Sequence, residues 1–208
     1  MSSLTPQSAQ DDLAFLRALV RTSDEFQLPF GEAYLAAGLC YGVQMVLSAG
    51  QTLGWISNGP APGLMIGFGP TIIFAVLMTI IVIRNRSTAP AGLMGRAIAA
   101  VFGTMGLANL ALVAVVGSVA WREHSLTVWL IYPCTVFVLQ GAAWFIAFSL
   151  RFRLWLAAVA SGWLFFGLLM AWFITQPVWF TVVGGVGMIV CMVVPGAVMV
   201  RLARGAGA

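Results

Sequence analysis

PGLMIGFGPTIIFAVLMTIIVI, residues 62–83, carries no charged side chain from one end to the other. A helix rises about 1.5 Å per residue, so a stretch of this length reaches across the roughly 30 Å hydrocarbon core of a bilayer. Five other segments have the same character, and together the six expected spans are 33–55, 62–83, 97–120, 126–149, 154–174 and 178–201. The breaks are short and polar: Ser57 to Pro60, Arg84 to Arg96 with Pro90, Trp121 to Ser125, Arg151-Phe152-Arg153, and Gln176-Pro177.

Composition agrees with this reading. The chain is 61% hydrophobic and 8% charged, with a mean hydropathy of +1.00. A water-facing domain needs about 25% charged residues, so a soluble fold is excluded. The three cysteines, Cys40, Cys134 and Cys191, all fall inside apolar segments, in no metal or haem-attachment spacing, and read as small packing residues.

All ten basic residues are arginines. Together with abundant Ala and Gly, the absence of Lys points to a high-GC bacterial genome. Arg17, Arg21, Arg84, Arg86, Arg96, Arg151, Arg153, Arg201 and Arg204 fall on one side of the expected bundle, and Arg122 alone on the other. Basic residues concentrate in cytoplasmic loops, which sets both termini in the cytoplasm. The net charge of +4 therefore belongs to topology and implies no nucleic-acid partner.

The expected architecture is an all-α integral membrane protein, N-in and C-in, in the bacterial inner membrane. Residues 1–31 form a cytoplasmic segment containing an amphipathic helix over about 8–27, residues 32–204 the six-span domain, and residues 205–208 a tail. Ser8 and Asp11 resemble a capping box, Leu13, Leu16, Leu19 and Val20 give the apolar side, and Pro29 is expected to break the chain before the first span. The spans group into three hairpins, 33–86, 96–153 and 154–204, each ending on an arginine pair. Either triplication of a hairpin or the placement of arginines at cytoplasmic ends alone accounts for this pattern.

Packing cues are the small-residue pairs Gly38-x-x-x-Gly42 and Gly63-x-x-x-Gly67, the glycines 184, 185 and 187, and the in-span prolines Pro70, Pro133 and Pro195. Tyr34, Tyr41, Gln44, Ser48 and Gln51 share one face of the first span, and lipid cannot satisfy their polar atoms, so that face turns inward. Gln44, Asn109 and Gln140 lie near the middle of their spans. They read either as interhelical glue or, with Gln51, as the lining of a neutral solute-binding site.

No Asp, Glu, His, Lys or Arg lies well inside a span. Glu32 sits at the mouth of the first, where it reads as a solvated residue of a helix start. Proton relays and voltage sensors rely on such groups. The sole histidine, His124, falls in a loop, and Ser161 has no base at its depth. No enzyme activity, catalytic residue, cofactor or metal is expected.

Asp11-Asp12-Leu13-Ala14-Phe15-Leu16-Arg17, followed by a linker and six spans, resembles a group of uncharacterised small bacterial membrane proteins that begin with a similar helix. That resemblance implies an architecture and no activity. The function expected is that of a non-enzymatic accessory, assembly or regulatory subunit. It would contact a protein partner through residues 8–27, with lipid around it and a second copy as another candidate partner. The alternative is a transporter or channel for a small neutral or apolar solute that uses Gln44, Gln51, Asn109 and Gln140.

Overall fold

A computed structural model describes residues 27–86 and 92–205. Six long apolar helices carry the described chain: α1 Gln27–Thr52, α2 Pro60–Arg84, α3 Gly92–Arg122, α4 Leu126–Arg151, α5 Leu154–Trp172, and a sixth span built of α6 Pro177–Met188, a π-helical turn Ile189–Val193 and α7 Val194–Gly205. This is a multi-pass membrane protein with no strand among the described residues. The amphipathic helix expected over 8–27 lies outside them, apart from Gln27.

Each break has a local cause. Ser125 accepts the Val128 N–H through its hydroxyl and starts α4. Phe152 takes a left-handed conformation (φ 51°) and returns its N–H to the Phe148 carbonyl, so α5 follows α4 after two residues. Pro177 opens α6, where its fixed φ suits the first helical turn. Pro29 does not break the chain as expected. It lies within α1, near the start of the described helix.

The π-turn ends at Val193, two residues before Pro195. Val194 reaches back five residues to the Ile189 carbonyl, which widens the helix where the proline ring would press on the preceding turn. The in-span proline thus produces a bulge in the sixth span.

Neighbours across the bundle run in the order α2, α1, the sixth span, α5, α4, α3. The most extensive interface joins α1 to the sixth span, and that of α4 with α5 comes next. The sixth span is the best buried, with 56% of its most apolar stretch enclosed, against 11% for α2 and 6% for α3. Its central place follows from glycine. A Cβ on Gly196 would stand 2.7 Å from the Leu35 backbone nitrogen, and one on Gly38 would stand 3.0 Å from that of Val193. One on Gly187 would lie 2.7 Å from the Phe137 ring. These absences let α1 lie directly against the sixth span and let the Phe137 ring of α4 reach it, gaining dispersion contact where lipid offers no hydrophobic drive.

The second small-residue pair behaves differently from its expectation. Cβ atoms built on Gly63 and Gly67 meet nothing within 4 Å among the described residues. The pair faces away from the rest of the described bundle, and no close approach among the described residues uses it.

Candidate functional site

The interior has two layers. The first lies toward the end that bears Arg84, Arg151 and Arg204, and it is aromatic. Tyr34 of α1 is 5% exposed, and its hydroxyl accepts the indole N–H of Trp144 at 2.6 Å and of Trp163 at 2.9 Å. One phenol thereby ties α1 to α4 and α5. Phe102 of α3 packs edge-on to Phe30 at 4.7 Å and to Trp144 at 5.6 Å, which brings α3 into the same cluster. Trp155 closes on Trp144 at 5.9 Å. Edge-to-face pairs of this kind are favourable beyond their buried area.

Tyr34 belongs to the face of the first span expected to turn inward, and it does. Its partners were missed. The signal was available, because an indole N–H is a donor only and a tryptophan in mid-bundle must find an acceptor.

The second layer holds the amides. Gln44 Nε2 donates to the Gly67 carbonyl of α2 at 3.2 Å. Pro70 leaves the Ile66 carbonyl, one residue before Gly67, without its intrahelical donor, so the Gln44 bond does not replace the one the proline removes. Gln51 Nε2 donates to the Ser57 carbonyl at 3.3 Å and fastens the α1–α2 connection. These two amides therefore bind backbone, and no hydrogen bond joins any two of Gln44, Gln51, Asn109 and Gln140.

Asn109 and Gln140 differ from the glutamines of α1. They sit on the neighbouring helices α3 and α4, about equally far from the turn that joins them. The Asn109 Oδ1 and the Gln140 Oε1 are both buried, and neither has a hydrogen-bond partner among the described residues. A buried acceptor left unpaired costs about 1–3 kcal/mol, so two at matching depth are a chemical feature with no structural return. They can receive hydrogen bonds from a small donor.

At the arginine-bearing end, Glu32 corrects its expectation. Its side chain is 13% exposed rather than solvated. It is ion-paired with Arg84 from the end of α2 and lies 3.7 Å from Arg204 at the end of α7. One carboxylate thus gathers the ends of three spans.

The cysteines behave as packing residues: Cys134 and Cys191 are buried, and all three are free thiols. Among the described residues, no group of His, Cys, Asp and Glu is arranged to hold a metal ion. No protein-family model matches the chain, and no curated protein or solved structure matches it.

Proposed function

We propose that this protein is a non-enzymatic accessory or assembly subunit of the bacterial inner membrane, acting through contacts made within the bilayer. The observation that supports this most directly is the exposure of α3. Only 6% of its most apolar stretch is buried, because it packs chiefly on α4. Gly103 and Gly106 of α3, like Gly63 and Gly67 of α2, meet no atom within 4 Å of a built Cβ among the described residues. Small residues are the means by which membrane helices approach a partner. Residues 8–27 would add a cytoplasmic contact. The arginine bias supports an orientation with both termini inside, in which the six spans form three hairpins.

A photo-crosslinking residue placed at Leu107 or Leu110 of α3 tests this in native membranes. Leu168 of α5 serves as control, since the three side chains are 69%, 69% and 70% exposed. A single adduct of defined mass from the α3 positions and none from Leu168 is the expected result. Equal or absent crosslinking at all three positions would remove the contact reading.

A second reading, transport or binding of a small neutral solute, is favoured by the unpaired Asn109 and Gln140 oxygens. On this reading the aromatic layer around Tyr34 closes one side of the site. Its test is the Asn109 variant described in the Discussion.

A further inference from the structure

We infer that the groove between α1, α2 and α7 at the arginine-bearing end is a binding site for one anionic phospholipid. The inference depends on the protein spanning a membrane and is independent of any protein partner.

The groove encloses about 240 Å³. Its walls are apolar, formed by Leu35, Leu39 and Leu77 with Val200, and its mouth carries Glu32 and Arg204. The α1 residues along it run from Glu32 to Cys40, a spacing that keeps one face of the helix toward the groove over about 12 Å of depth. Hydrocarbon suits such a slot, and a soluble anion or an acidic peptide would leave it unfilled.

The charge at the mouth selects the headgroup. Arg84 and Arg204 share the single Glu32 carboxylate, leaving one positive charge in excess. Their side chains remain 58% and 69% exposed, so most of their donors face outward. A guanidinium offers five N–H donors in a planar fork that matches phosphate. Basic pockets between membrane helices at the headgroup level take anionic lipids by this combination of charge and apolar wall. Glu32 has the further role of holding both arginines over the groove.

The full-length protein, released from detergent, is examined by native mass spectrometry after exchange into equal amounts of phosphatidylglycerol and phosphatidylcholine with identical acyl chains. The expected result is one phosphatidylglycerol retained per chain, in preference to phosphatidylcholine by about fivefold for each arginine engaged. Arg204→Gln should lose about fivefold of that preference, while Arg122→Gln, at the opposite end, should keep it. Leu39→Trp fills the groove and should reduce retention of the lipid. Leu39 is 52% exposed, and Arg204→Gln leaves Glu32 paired with Arg84, so both variants should fold, which an unchanged melting temperature checks. Equal retention of the two lipids by the unmodified protein would overturn the inference, as would retention unaffected by both Arg204→Gln and Leu39→Trp.

Discussion

Tyr34 and Trp144 are 110 positions apart, and the phenol of one accepts the indole proton of the other at 2.6 Å in the closed interior. Trp163 completes the arrangement at 2.9 Å. Because tryptophan only donates, both bonds depend on the one oxygen.

Tyr34→Phe should therefore strand two indole N–H groups at once. Buried unpaired donors cost about 1–3 kcal/mol each, whereas hydrogen bonds measured inside membranes average nearer 0.6, so a combined loss of about 1–3 kcal/mol is expected. Thermal or denaturant unfolding in mild detergent measures it. Tyr41→Phe provides the contrast: Tyr41 is half-buried and packs on Phe74 at 5.6 Å without a hydrogen bond to an indole. Equal stability of the two variants would deny the phenol its tethering role.

Glycine substitutions should separate used from unused helix faces. Gly196→Ala brings a Cβ to 2.7 Å from the backbone of α1 at Leu35, a contact that no side-chain rotation relieves. Overpacking of this kind costs about 1–3 kcal/mol. Gly67→Ala meets nothing within 4 Å among the described residues, and alanine gains up to about 1 kcal/mol of helix propensity over glycine, so that variant should be neutral or more stable. Parallel melting curves decide. A Gly67→Ala protein as damaged as Gly196→Ala would mean that the α2 face is occupied in the folded protein.

The six spans were legible because hydropathy acts through the bilayer, a constraint every segment meets by itself. The bounds of α2, expected over 62–83, were close to the observed Pro60–Arg84, whereas α1, expected over 33–55, runs Gln27–Thr52. Which helices touch depends on shape, and the two small-residue pairs have the same sequence form. Gly38 lies against the sixth span and Gly63 against nothing among the described residues, a difference set by which neighbour reaches each face. The π-turn was hidden as well. Pro195 announces a disturbance, but a kink and a widened turn are alternative ways to absorb it. For the amides, spacing gave depth and an inward face. It could not reveal that Gln44 and Gln51 bind backbone while oxygens of Asn109 and Gln140 do not.

Glu32 joins Arg84 and Arg204, and its removal should loosen the ends of α2 and α7 together. With Glu32→Gln, two guanidinium groups face each other without the carboxylate between them. The arginines are largely exposed, so the loss should stay near about 1 kcal/mol and shrink as salt is raised. A double-mutant cycle with Arg84→Gln measures the coupling. Zero coupling energy at low salt would reduce the pair to a surface contact.

Asn109 and Gln140 support opposite predictions under the two functional readings, which makes them the most informative pair to change. If the unpaired Oδ1 and Oε1 serve no ligand, replacing either amide with leucine removes an unsatisfied acceptor from an apolar setting. Asn109→Leu should then raise stability by about 1–3 kcal/mol, with no loss of function in a growth or assembly assay. If the two oxygens receive a solute, the same variant should still fold at least as stably as the parent, yet lose solute flux in reconstituted vesicles. Gln44→Leu separates the two cases from simple misfolding. Gln44 already holds the Gly67 carbonyl, so its loss should lower stability whichever reading holds. A stable Asn109→Leu protein with full flux of every small neutral solute tried would leave the contact role as the reading to pursue. A stable protein with abolished flux would make the α3–α4 pair the centre of the transport site.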